Sequence, residues 1–150
     1  MLKRIIFFIF LCLFILLSFA ACAPKPPEPV SNILKVTDGK VVKSFTAQDL
    51  KTLGETQVAI NGVTYLGVPL TKVLQSANID PAGLTAVKAA ASDGFTANYD
   101  PTLFNREDTI IAYARLDGTL TDDEAPFRMV LPAEGGKMNP RKLTDIIAIP

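Results

Sequence analysis

The sequence predicts an α+β domain, with a mixed, mainly antiparallel β structure and two or three short helices. Short apolar segments alternate with Asp-Gly and Asn-Gly pairs, which tolerate the positive φ of tight hairpin turns. One apolar stripe recurs at helical spacing, at Leu70, Val73, Leu74 and Ala77. After residue 31 there is no internal repeat or low-complexity run. We therefore expect hairpin-linked strands and a few helices around one core.

The first half of this domain is predicted to contain two hairpins, each followed by a helix. Thr46 provides a hydroxyl N-cap for the first helix, and Gly54 provides its stop. Pro69 opens the second helix, which carries the apolar stripe and ends at Asn78. The predicted strands are residues 33–37 and 41–45 around Asp38-Gly39, and residues 57–60 and 63–66 around Asn61-Gly62.

The second half is predicted to be mostly β. Alanines in residues 86–91 have helical propensity, which competes with the strand assignment there. Pro101 is expected to begin a single helical turn after Asp100. The predicted strands are residues 85–91 and 95–99 around Asp93-Gly94, residues 109–116 before Asp117-Gly118, residues 127–131 and residues 143–149.

The N-terminal segment has the pattern of an export signal. Lys3 and Arg4 precede an apolar run over residues 5–17, and small residues follow it up to Cys22. Residues 19–22 resemble the bacterial lipobox, which implies cleavage after residue 21 and a membrane anchor through lipid on Cys22. An uncleaved membrane helix or a plain signal peptide is the alternative interpretation. Each interpretation places the domain outside the cytoplasm, and the lipobox places it on a bacterial membrane.

Residues 22–31 are predicted to be the lipidated Cys22 and a proline-rich tether, with the domain spanning residues 32–150. Four prolines in residues 23–29 favour an extended polyproline II segment. The chain has two cysteines, Cys12 in the apolar run and Cys22. The domain therefore has no internal disulfide, and packing alone must stabilise it.

Composition excludes several classes of function. Lys plus Arg number 15 and Asp plus Glu number 15, so the chain lacks the excess positive charge that nucleic-acid binding requires. The chain has no histidine. Ser-His-Asp and Cys-His catalysis and His-ligated zinc or haem sites are therefore excluded.

Five segments occur in an order that is shared with a known family. They read YLGVPLTKVL (65–74), SDGF (92–95), IAY with DGTL (111–113 and 117–120), APFRMVLP (125–132) and RKLTDI (141–146). In this order and spacing they resemble the molybdopterin-binding domain of the sulfite oxidase family. The resemblance implies that family's fold, and it implies its function only if the site is also present.

The resemblance also exposes a missing metal ligand. Catalytic members of the family hold molybdenum through the pterin and one cysteine, in the stretch that matches residues 55–61. That stretch reads ETQVAIN and has no cysteine. Apolar side chains have no lone pair that replaces a soft thiolate. We therefore expect no catalytic residues, no metal and no cofactor, with molybdopterin implied by the resemblance alone.

A candidate anion site remains in the C-terminal part. The family cradles the pterin pyrophosphate with basic side chains and glycines, and the resemblance carries these roles to the matching positions here. The alternative interpretation is ordinary surface charge on a half-exposed strand and a solvated loop. Asp93 is a further candidate for reading a ligand, although an Asp-Gly pair also serves simply as a turn. The candidate ligand-binding residues are Arg128, Gly135, Gly136 and Arg141 at these matching positions, the additional basic residue Lys137, and Asp93.

Two other polar groups are expected to be structural. Tyr65, Tyr99 and Tyr113 are predicted to be half-buried strand residues whose hydroxyls reach the surface. The acidic residues 122–124 lack the spacing of a calcium loop and are predicted to form a solvated bend.

Three functions are compatible with this sequence. The first is an extracytoplasmic lipoprotein whose domain binds a small anionic or cofactor-like ligand, or a partner protein. The second is a molybdopterin-dependent oxidoreductase, or a subunit of one that another chain completes. The third is a structural envelope protein.

Overall fold

The computed structural model describes residues 32–150. The predicted signal peptide (1–21) and tether (22–31), with Cys22, lie outside the described residues. Within 32–150, no helix is long and apolar enough to cross a membrane.

The helices are α1 (Ala47–Thr52), α2 (Leu70–Ser76) and α3 (Pro101–Phe104), with 3₁₀ turns at Pro81–Gly83 and Gly136–Met138. The strands are β1 (Leu34–Thr37), β2 (Val42–Phe45), β3 (Thr56–Ile60), β4 (Val63–Pro69), β5 (Ala86–Ala91), β6 (Thr96–Tyr99), β7 (Ile110–Arg115), β8 (Gly118–Thr119), β9 (Arg128–Val130) and β10 (Leu143–Ile149).

The strands form two sheets. The first has the order β2-β1-β10-β5-β6, and β1 and β10 are its parallel pair. In the second, β3, β4, β7 and β8 follow in order, and β9 pairs with β7 beside β8. Every other pairing in both sheets is antiparallel, so the predicted mixed, mainly antiparallel α+β fold is confirmed.

The predicted hairpins and helices form for the expected local reasons. Thr46 caps α1, because its hydroxyl accepts a hydrogen bond from the Asp49 amide at 3.2 Å while the Asp49 carboxylate accepts one from the Thr46 amide at 2.8 Å. The alanine-rich segment is the strand β5, with alternate residues buried. Burial against the core thus overrides its helical propensity. The two-residue strand β8 and the 3₁₀ turns were not predicted.

Gly67 allows β4 and β7 to approach closely. A Cβ at this position would collide with the Ile111 carbonyl oxygen and would lie 2.8 Å from the Ala112 Cα. The register between the two strands also shifts between Leu66 and Gly67. Any larger residue would therefore push these two strands apart.

Two apolar clusters stabilise the domain. The main core contains residues of both sheets and of all three helices, and it includes Tyr99 and Tyr113. The smaller cluster lies on the other face of the second sheet, around Tyr65, Ile110 and Val130. Tyr65 is 3% exposed, Tyr99 is 0% exposed and Tyr113 is 7% exposed. The prediction that they are half-buried was therefore wrong. Tyr65 and Tyr113 lie on opposite faces of the second sheet, both of which are covered, and Tyr99 on β6 of the first sheet points into the main core.

Candidate functional site

A surface cleft of about 310 Å³ lies between the β5–β6 turn and the segment that precedes β10. Its volume is at the lower end of the range for small-molecule sites, roughly 300 to 1,000 Å³. Its lining residues are Asp93, Phe95, Gly136, Lys137, Asn139, Pro140 and Arg141.

Buried hydrogen bonds fix the shape of this cleft. Asn139 is 4% exposed, and its side chain accepts a hydrogen bond from the Leu131 amide at 2.6 Å and donates to the Gly135 carbonyl at 3.1 Å. The Tyr99 hydroxyl donates to the Met138 carbonyl at 3.0 Å, and burial raises the pKa of Tyr99, which keeps this donor protonated. The β6 strand and the loop before β10 are therefore held together. The sequence alone does not reveal Asn139, since its role depends on a loop that closes in three dimensions.

The two glycines beside the cleft have no structural requirement for glycine. Gly135 has a φ of −65°, and no heavy atom lies within 4 Å of a Cβ built on Gly135 or Gly136. Neither backbone strain nor crowding inside the domain therefore excludes a side chain here.

The cleft carries charges of both signs. Lys137 and Arg141 line it from the loop, and Asp93 lines it from the turn. Arg141 forms an exposed ion pair with Asp123. Asp93 accepts a hydrogen bond from the Phe95 amide at 2.9 Å, so it also stabilises its own turn as the structural interpretation expected. The structure thus brings Asp93, Gly136, Lys137 and Arg141 to one place, while their binding of a ligand stays a prediction.

Arg128 is not among the residues that line the cleft. It is 6% exposed, and its Nη1 donates to Glu124 Oε1 at 2.6 Å and to the Tyr65 hydroxyl at 2.7 Å. The guanidinium also lies over the Tyr65 ring, 4.5 Å from its centroid. This burial does not fit the prediction that Arg128 contacts a ligand in the cleft. It also does not fit the alternative interpretation, in which Arg128 is a surface charge on a half-exposed strand. Arg128 compensates a buried acid.

Glu124 is the centre of this buried network, and sequence analysis did not find it. The prediction that residues 122–124 form a solvated bend is wrong for Glu124, which is 2% exposed. Its other oxygen, Oε2, accepts from Arg115 Nε at 2.9 Å and from the Thr121 amide at 3.2 Å. Burial alone would raise the pKa of the Glu124 carboxyl. The hydrogen bonds from Arg115, Tyr65, Thr121 and Arg128 outweigh burial and hold that pKa well below its usual range.

A second depression, of about 340 Å³, lies at the β3–β4 turn. Its lining residues are Gly62, Val63, Thr64, Leu116 and Asp117. The charged side chain among them is an acid, so this depression offers no basic group to an anion.

Comparison with known proteins identifies the family. The model of the oxidoreductase molybdopterin binding domain matches residues 35–150. The chain belongs to this family. Among solved structures, the molybdopterin-binding domain described here is similar to the sulfane dehydrogenase SoxCD from Paracoccus pantotrophus, with a TM-score of 0.61 and 18% sequence identity. The match covers 78% of this chain and 38% of that chain, so this chain spans well under half of its structural relative. No curated protein matches the chain in sequence.

The predicted sulfite-oxidase-type fold is therefore confirmed, and the family implies a molybdenum cofactor. The described residues do not fit a thiolate-ligated metal. Both cysteines of the chain, Cys12 and Cys22, precede residue 32, and the chain has no histidine. In β3, Val58 is buried and Ile60 packs against the smaller cluster, so these side chains serve packing. Within residues 32–150, no group of three or more Cys, His, Asp or Glu side chains is arranged to hold a metal ion.

Proposed function

We propose that this chain is an extracytoplasmic bacterial lipoprotein, anchored through lipid on Cys22, whose molybdopterin-binding domain serves in binding rather than in molybdenum redox chemistry. Its ligand is a small anionic or cofactor-like molecule that the cleft beside Lys137 and Arg141 takes up. The observation that carries this proposal is a cleft lined by Lys137 and Arg141, in a family scaffold that has no thiolate in the stretch where the resemblance places the metal ligand.

The chemistry of the cleft supports an anionic ligand. Lys137 and Arg141 donate charge-assisted hydrogen bonds, and a guanidinium binds phosphate or carboxylate with two parallel bonds. Gly136 lets such a group approach the backbone, because nothing in the described residues lies over it. The buried Asn139 preorganises the loop, which lowers the entropic cost of binding.

The metal content of the purified full chain tests the non-redox part of the proposal. The protein would be expressed in a host that makes the molybdenum cofactor and purified in detergent. We expect molybdenum far below one atom per chain by elemental analysis, and no pterin by native mass spectrometry. One molybdenum atom per chain would overturn the proposal.

Binding of inorganic phosphate tests the cleft. Lys137→Gln is expected to weaken phosphate binding by about two- to fivefold at low salt, the size of an exposed charge interaction. Gly136→Ala is expected to weaken binding while the melting temperature stays unchanged, because the added methyl group meets nothing in the folded domain. Lys35→Gln, an exposed lysine on β1, is the matched control. Equal phosphate affinity in all four proteins, measured by calorimetry, would exclude the cleft as the site.

The anchor is tested separately. Cys22→Ala should abolish labelling of the protein with radioactive fatty acid and release it from the membrane fraction. Ser18→Ala changes a nearby small residue and is expected to leave labelling intact. Full labelling of the Cys22→Ala protein would show that the lipobox interpretation is wrong.

A second candidate function is a subunit of a molybdopterin-dependent oxidoreductase. The family match favours it, as does the structural similarity to a protein described as a sulfane dehydrogenase. In this case another chain would supply the missing metal ligand. Co-purification of the tagged chain with a molybdenum-containing partner would support this function, and a metal-free preparation without partner chains would reject it.

A further inference from the structure

We propose that the ligand of the cleft is amphoteric: it carries a cationic amine as well as an anionic group, and Asp93 binds the amine. This inference rests on the proposed function, since it takes the cleft as a binding site and names the chemical class of its ligand. It also makes Asp93 a residue that determines specificity rather than only a turn residue.

The charges around the cleft favour a ligand that carries both signs over a simple anion. Lys137 and Arg141 are positive, but Arg141 is already paired with Asp123. Asp93 adds a second negative charge to the same surface. A purely anionic ligand would therefore be attracted by Lys137 and Arg141 but repelled by the carboxylates of Asp93 and Asp123, which weakens its binding. A ligand with both charges gains from both sides of the cleft.

The turn that carries Asp93 offers a suitable amine site. Asp93 Oδ1 accepts the Phe95 amide at 2.9 Å, and its second oxygen, Oδ2, has no hydrogen-bond partner among the described residues. Phe95 lines the same cleft and is 41% exposed. A carboxylate and an exposed aromatic side chain that line one cleft bind an ammonium group through an ion pair and a cation–π contact. A cleft lined only by basic groups would have no binding site for the amine of the ligand.

The two sides of the cleft are held at a fixed separation. The Ser92 amide donates to the Lys142 carbonyl at 2.9 Å, which joins the β5–β6 turn to the loop that carries Lys137 and Arg141. Tyr99 and Met138 provide a second link at 3.0 Å. The acidic and basic groups are thus preorganised relative to each other, which lets the cleft discriminate between ligands by the spacing of their charges.

A matched pair of probes tests the inference. Phosphoethanolamine and ethyl phosphate have the same two-carbon phosphate monoester, and only the first carries an amine. We expect the full chain to bind phosphoethanolamine about fivefold tighter at low ionic strength, as measured by calorimetry, with the preference reduced in high salt.

Asp93→Asn should remove this preference and leave the affinity for ethyl phosphate equal or higher, since Asn keeps the oxygen that accepts the Phe95 amide. Asp38→Asn is the matched control, because Asp38 lies in another Asp-Gly turn and accepts the Lys40 and Val41 amides at 2.9 and 2.7 Å. This control is expected to keep the full preference.

The possible outcomes separate the two proposals. Equal binding of the two probes, or a preference that survives Asp93→Asn, would overturn the amphoteric ligand and leave the anion site standing. Binding of neither probe would overturn both the anion site and the amphoteric ligand.

Glycerophosphoethanolamine is a third probe, and it distinguishes sources that share this chemistry. Tighter binding of this diester supports a lipid headgroup as the amphoteric ligand, and tighter binding of phosphoethanolamine supports a free phosphate monoester.

Discussion

Replacing Glu124 by glutamine removes the negative charge at the centre of the buried network and preserves its shape. The carboxylate is 2% exposed and compensates two guanidinium groups, Arg128 at 2.6 Å and Arg115 at 2.9 Å. The side chains of these arginines are 7% and 22% exposed, respectively. In the Glu124→Gln protein both cations would stay in place without a counter-charge. The arginine with the lower exposure, Arg128, would bear most of the cost.

The expected loss of stability is large. Removing one partner of a buried ion pair costs about 3 to 5 kcal/mol, because it leaves an uncompensated buried charge. Glutamine retains some hydrogen bonds and Arg115 reaches solvent, so we expect about 3 kcal/mol. For a domain of this size such a loss lowers the melting temperature by roughly 10 °C. The double variant Glu124→Leu with Arg128→Met removes the buried Glu124–Arg128 pair and leaves only the more exposed Arg115 unpaired, so it should be less destabilised than Glu124→Gln.

Urea unfolding followed by circular dichroism, with thermal melts in parallel, measures this effect. Asp122→Asn is the control, since Asp122 is exposed on the same bend and should change stability by less than about 0.5 kcal/mol. If Glu124→Gln were as stable as that control, the network would not stabilise the fold and the argument from burial would fail.

The same network predicts a dependence on pH. The pKa of Glu124 is lowered in the folded protein relative to its ordinary value of 4.5. Its contribution to stability is therefore fully present above about pH 4.5 and decreases as the pH falls below that value towards the folded-state pKa. The stability difference between the wild-type and Glu124→Gln proteins should narrow over this acidic range. A difference that stays constant would contradict the assignment.

Two further predictions concern packing and tyrosine ionisation. Gly67→Ala should destabilise the domain by about 2 to 3 kcal/mol, because the new methyl group meets the backbone of β7; Gly83→Ala, where no atom lies within 4 Å, is the control in the same urea experiment. Burial, followed by a hydrogen bond to Glu55, raises the pKa of Tyr113 to about 12, so the wild-type protein should lose stability between pH 10 and 12. The Tyr113→Phe protein should lose less stability over the same pH range. An absorbance titration in which all three tyrosines of the folded protein ionise near pH 10 would contradict the raised pKa of Tyr113.

Much of the candidate site followed from the sequence because its residues lie in short loops beside recognisable motifs. Asp93 was found from its turn and from the order of family segments, and Arg141 was found from that order. Lys137 was found as a basic residue beside the glycines that the resemblance implies. Arg128 belonged to the same motif, but its side chain points to a buried acid instead of the cleft. The alternation of residues along a strand shows that neighbouring side chains face opposite sides, and it does not show which sides are covered.

The sequence by itself determined the local elements, the absence of a thiolate from the domain and the family to which the chain belongs. Turn pairs, caps and the apolar stripe act over a few residues, so they can be identified without knowledge of the rest of the chain. The tertiary structure decided which charges are buried and which meet in the cleft. Glu124 and Asp123 are adjacent and both acidic, yet the first is enclosed by Arg115, Tyr65 and Arg128 while the second forms an exposed pair with Arg141. Burial and pairing depend on groups that are far apart along the chain and come together only when the sheets pack.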